Sequence, residues 1–123
     1  MSNGKLPRIT GRDMKGVMAY PPTPALPGAE RVDAVDTIDI AASERMIRQL
    51  IADGVDAIAL NGTLGEMATL TLDEWKTFAV CVAETAKSID PDFPLFIGTT
   101  TLNTRDTVAR MRFLADLGVA GTL

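Results

Sequence analysis

The stretch Val55–Glu66, VDAIALNGTLGE, carries the reading of the fold. Its first half, VDAIAL, is a short, nearly continuous apolar run with β-branched residues. Such runs suit strands of a parallel sheet. Its second half, Leu60-Asn61-Gly62-Thr63-Leu64-Gly65-Glu66, turns the chain sharply, with two glycines bracketing a threonine and a leucine. The next residues open a helix. Thr71 and Glu74 form a T-x-x-E capping box, and Leu70 and Trp75 stand at the two positions of a hydrophobic staple. The helix is expected to run through Trp75, Phe78, Val82 and Ala86.

The same strand-turn-helix unit recurs on both sides. GVMAY (16–20) reads as a first strand, followed by PPTPALPGAERVDAVD, a long loop of the kind that often carries function. From Thr37 the period becomes helical: Ile40, Ser43, Ile47, Leu50 and Ile51 share a face, with Met46 beside them. Asp36 or Thr37 is the expected N-cap, and Gly54 the stop. PDFPLFIGTT supplies a third strand. Asn103 or Thr104 caps a third helix that carries Val108, Met111, Leu114, Ala115 and Leu117 and ends at Gly118. VAGTL opens a fourth strand.

The order β-α-β-α-β-α-β defines an α/β chain with a parallel sheet. Residues 1–15 read as a polar arm and 16–123 as the α/β domain. Two architectures fit: a small open sheet with helices on both faces, or the N-terminal portion of a (β/α)8 barrel. A full barrel takes about 250 residues, and this sequence has 123. The stop at Gly121-Thr122-Leu123, just inside a strand, favours the barrel portion. Three helices on one side of a curling sheet would leave its other face bare. A non-catalytic half-barrel that self-associates or pairs with another chain is therefore the competing reading.

Composition excludes several classes. Hydrophobic residues make up 46% and aromatic ones only 5%, so the core must be mostly aliphatic. Twelve basic and 16 acidic residues give a net charge of −4, with no basic stripe for nucleic acid. No apolar run reaches the roughly 20 residues of a membrane span, and the first residues lack a signal-peptide core. A cytoplasmic location is expected. Cys81 lies in a helical pattern and reads as a buried, reduced thiol. The chain has no histidine, which removes the commonest general base and metal ligand. Chemistry must come from hydroxyls, carboxylates, lysines or backbone groups.

In parallel α/β proteins that chemistry sits at the carboxyl ends of the strands. Three hydroxyl-bearing turns fall there: Thr23, Thr63, and Thr99-Thr100-Thr101. Gly62 and Gly65 let the backbone approach a ligand and offer N–H groups to an anion. The G-x-x-G spacing is neither a Walker loop nor a dinucleotide fingerprint. Glu66 reads as a loop-fixing carboxylate, and Met14, Met18, Met46, Met67 and Met111 as gap-fillers. Lys5, Lys15, Lys76 and Lys87 fall on the arm, before the first strand, and on the second helix or its end. None is placed for a Schiff base, which needs a desolvated amine.

Three segments in order carry a resemblance: GVMAYPPTP, GTLGEMATLT and PLFIGTTTLNTRDT. Over residues 14–123 the chain resembles the pyruvate-dependent class I aldolases of the dihydrodipicolinate synthase and N-acetylneuraminate lyase superfamily. The last segment looks most like the hydratase-aldolase branch, which acts on hydroxybenzylidenepyruvates and carboxybenzalpyruvates. The resemblance implies a (β/α)8 barrel, a lysine Schiff base with a pyruvate unit, no metal or organic cofactor, and a homo-oligomer, usually a tetramer. It implies that Thr63 is the hydroxyl of a proton relay and that Gly62, Thr63 and Leu64 bind the substrate. The Thr63 and Leu64 amides would take its carboxylate. Leu64 departs from the superfamily, which often has a second threonine there. The family's Schiff-base lysine and relay tyrosine lie on later strands and have no counterpart in these residues; Tyr20 does not match the tyrosine.

Overall fold

The computed structural model describes residues 10–123. Most of the expected arm, residues 1–9 with Lys5, lies outside the described residues. The elements follow in the expected order: β1 Met18–Ala19, α1 Ile40–Ala52, β2 Ala57–Leu60, α2 Leu72–Ile89, β3 Leu95–Ile97, α3 Thr104–Leu117 and β4 Gly121–Thr122.

The strands pair in parallel in the order β1-β2-β3-β4. Right-handed crossovers that always step in one direction put every helix on the same face. The packing agrees: Ile58, Leu60, Leu95 and Ile97 join Ile47 of α1, Trp75, Phe78 and Val82 of α2, and Leu114 of α3 in one core. This removes the open-sheet alternative, whose strand order must reverse to place helices on both sides. By the alternation of side chains along a strand, Met18, Tyr20, Ala57, Ala59 and Phe96 line the opposite face. Among the described residues no helix packs on that face; Tyr20 at its edge is 55% exposed, while the small Ala59 between its neighbours is 2% exposed.

Helix α1 starts later than its pattern suggested. Asp39 is its N-cap, accepting from the Ala42 amide at 2.8 Å; neither Asp36 nor Thr37 serves. Ile38 is drawn into an antiparallel bridge with Ala25, and the Leu26 amide donates to the Thr37 carbonyl at 2.8 Å. Asp36 sits at φ 52°. Helix α3 is capped by Asn103 and closed by Gly118 at φ 69°. It turns Phe113, Leu114 and Leu117 to the core, while Met111 and Ala115 face outward. Met46 packs against the core, whereas Met14 is exposed.

The capping box of α2 forms as expected. The Glu74 amide donates to Thr71 Oγ1 at 3.3 Å, and the Thr71 amide donates to Glu74 Oε2 at 2.9 Å. Glu74 also reaches back across the chain, accepting from Thr37 Oγ1 at 2.7 Å. The Thr37 hydroxyl, and then the Thr71 amide, hold its carboxyl below the usual value, although burial opposes them. A lowered folded-state value stabilises the protein above the unfolded value, near pH 4.3, and the gain is lost as pH falls through the folded one. Glu74→Gln is therefore expected to cost about 1.5 kcal/mol at pH 7. Its deficit against the parent should shrink steadily below about pH 4. Urea titrations across pH test this; a deficit independent of pH would show that the charge plays no part.

Cys81 is buried and points its thiol toward the Ile40 carbonyl at 3.8 Å. Burial, aided by the Glu44 carboxylate, pushes its pKa up, so it behaves as a packed core group. Among the described residues no helix is long and apolar enough to cross a membrane.

Candidate active site

At the carboxyl end of the sheet the chain leaves β2 through Asn61, which adopts φ 53°. Asparagine tolerates this left-handed conformation better than most residues. Gly62 then leads into a single 3-10 turn, Thr63–Gly65, and Glu66 closes it at φ 64°. The Gly65 amide donates to the Gly62 carbonyl at 2.9 Å. The opening amides of such a turn have no partner within it. Those of Thr63 and Leu64 find none among the described residues.

The turn is held from beneath by a buried polar cluster. The Gly65 carbonyl accepts from Thr23 Oγ1 and from Asn61 Nδ2, each at 2.8 Å, and Asn61 Nδ2 also lies 3.3 Å from Thr23 Oγ1. Asn61 is 1% exposed, and its Oδ1 is a buried acceptor without a partner among the described residues. From the other side Gly98, just past β3, presses against it. The Gly98 amide donates to the Leu60 carbonyl at 2.8 Å, and a side chain at Gly98 would fall 2.1 Å from the Asn61 carbonyl oxygen. Trp75 Nε1 in turn donates to the Gly98 carbonyl at 2.9 Å.

The expected hydroxyls divide into two kinds. Thr23 is buried in the clamp. Thr99 Oγ1 pairs with Thr122 Oγ1 at 2.8 Å, and Thr101 Oγ1 donates to the Asn103 carbonyl at 2.6 Å at the start of α3. These three are committed to loop structure and do not converge as free groups. Thr63 is exposed, and together with Gly62, Leu64, Gly65, Tyr20, Pro21 and Ala59 it lines a cavity of about 240 Å³. Glu66 is exposed and accepts from Thr69 Oγ1, the loop-fixing part expected of it. No lysine among the described residues reaches the cavity.

Asn61 escaped the sequence reading. An asparagine directly before a glycine, between a strand and a turn, was the available signal, since that pair favours left-handed backbone.

Residues 23–123 match the model of the dihydrodipicolinate synthetase family. The chain belongs to that family. It is 44% identical over 115 residues to trans-2'-carboxybenzalpyruvate hydratase-aldolase of Nocardioides sp. (strain KP7), a match that covers 94% of this chain and 34% of the relative. It is 39% identical over 119 residues to trans-O-hydroxybenzylidenepyruvate hydratase-aldolase of Pseudomonas aeruginosa, covering 97% and 35%. The solved structure of PhdJ bound to substrate intermediate superposes with a TM-score of 0.86 at 37% identity, covering 93% of this chain and 34% of that one. The chain thus spans about a third of the length of the curated relatives it matches. The sequential strand order and the one-sided helices agree with this likeness: the fold is the N-terminal portion of a (β/α)8 barrel of the family.

Proposed function

We propose that this chain forms the N-terminal third of a class I hydratase-aldolase that acts on an arylidene pyruvate. Water adds across the substrate's double bond, and a retro-aldol step then breaks the carbon–carbon bond to give an aromatic aldehyde and pyruvate. A lysine iminium from the remainder of the barrel takes up the electron pair. The observation that carries this reading is the turn after β2, whose Thr63 and Leu64, with amides unpartnered among the described residues, line one cavity at the carboxyl end of the strands of a family barrel.

In this reading the amides of Thr63 and Leu64 hold the carboxylate of the 2-oxo acid, an arrangement that needs no side-chain charge. The Thr63 hydroxyl accepts and returns a proton through a phenol on a later strand. Leu64, where the superfamily often has threonine, makes the site more apolar and suits an aromatic substrate. The protein is cytoplasmic and works as a homo-oligomer, a tetramer as in the family.

Sodium borohydride added with pyruvate to the native protein should trap a covalent adduct visible by intact mass. Absence of the adduct would sink the mechanism. Thr63→Val should lower kcat by about a hundredfold, the range of a lost proton-transfer group, with KM changed far less. A Thr63→Val enzyme with parental kcat would take Thr63 out of the relay.

A further inference from the structure

The inner face of the sheet holds a notch beside the turn. The register sets Ala19 beside Ile58 and Ala59 beside Phe96, so Tyr20, Ala59 and Phe96 fall in one row across three strands. The middle member is only a methyl group. Phe96 leans away from it, toward β4: a side chain on Gly121 would come within 2.8 Å of Phe96 Cε1. The cavity reaches this row at Ala59, itself only 2% exposed, and Tyr20 walls it. Tyr20 is 55% exposed although it stands on the inner face at the end of β1. Leu64, 73% exposed, adds a second apolar wall to the same cavity. Its volume of about 240 Å³ exceeds the roughly 150 Å³ of an apolar cavity that takes up benzene.

We propose that this notch seats the aryl ring of the substrate, and that Tyr20 sets the preference for aryl over alkyl 2-oxo acids. The inference rests on the reading that a 2-oxo acid is held at Thr63 and Leu64, and it deepens that reading. A flat ring in this cavity meets the Tyr20 ring at its side, and aromatic pairs contribute beyond the area they bury. An alkyl chain gains only the area. Tyrosine also presents this wall with little side-chain freedom to lose.

Benzylpyruvate, the saturated aryl 2-oxo acid, can be neither hydrated nor cleaved; the iminium step is common to it and to alkyl 2-oxo acids, so the difference between their dissociation constants reads the aryl seat. On the native protein, Tyr20→Ala is expected to weaken benzylpyruvate about tenfold. Pyruvate and propylpyruvate should weaken less than about twofold. Tyr20→Phe keeps the ring and should bind benzylpyruvate as the parent does. Equal weakening of the aryl and alkyl acids overturns the seat, as does an unchanged benzylpyruvate constant or a parent that does not bind it. The two readings fail separately. If borohydride traps no pyruvate adduct but benzylpyruvate binding still depends on Tyr20, the aldolase reading falls and the seat stands. An adduct together with Tyr20-independent binding gives the reverse.

Discussion

Gly98→Ala is expected to destabilise the protein by about 3 kcal/mol, the upper range for forcing extra volume into a packed site. The added methyl would fall 2.1 Å from the Asn61 carbonyl oxygen and 2.8 Å from its carbon. Both obstacles are backbone, so no rotamer change relieves the collision. Either β3 separates from β2, breaking the bond from the Gly98 amide to the Leu60 carbonyl, or the turn beyond Asn61 lifts. Trp75 Nε1 would be disturbed too, since it is anchored on the Gly98 carbonyl. Urea denaturation gives the stability loss, and borohydride trapping of pyruvate should fall with it. A loss under about 1 kcal/mol would mean that the two strand ends yield freely, and the description of Asn61 as clamped would then be wrong.

Substitution at Asn61 should separate stability from function. Asn61→Gly keeps the backbone at φ 53° without strain. It removes two donated hydrogen bonds, but it also removes the buried, unpartnered Oδ1, and the Gly65 carbonyl retains the Thr23 hydroxyl. The net stability loss is expected near 1 kcal/mol. The 3-10 turn then hangs from one bond instead of two, and trapping of pyruvate should slow about tenfold, since displacement of positioned groups is costly to rate. Asn61→Ala suffers the same losses and adds about 1 kcal/mol for a left-handed alanine. The order of stability is parent, then glycine, then alanine. An alanine variant as stable as the glycine one would show that the turn relaxes out of the left-handed region.

What could be read from the sequence was what neighbours in the chain decide. Thr71 and Glu74 stand three residues apart, and their reciprocal bonds form as the spacing implied. Asn103 and Gly118 bound α3 for equally local reasons. The start of α1 falls later than its pattern suggests because Thr37 answers to Glu74 and to the Leu26 amide, not to the helix that follows it. The strand-end threonines divided for the same kind of reason. Thr23 and Thr99 find partners far along the chain, at Gly65 and Thr122, and nothing around either residue announces this. The cavity at Thr63 was legible as a turn, but the Asn61 clamp beneath it and the Tyr20 wall beside it depend on backbone sign and strand register.

Trp75 gives the molecule an optical handle on this region. It is the chain's single tryptophan, fully buried, with the Arg110 guanidinium carbon 4.9 Å from its ring centre and its Nε1 bonded to the Gly98 carbonyl. Gly98 in turn abuts the backbone of Asn61, which carries the turn. Within these residues the tryptophan emission therefore comes from one indole wired through two contacts to the candidate site. Its emission follows the seam between the ends of β2 and β3, with no label attached.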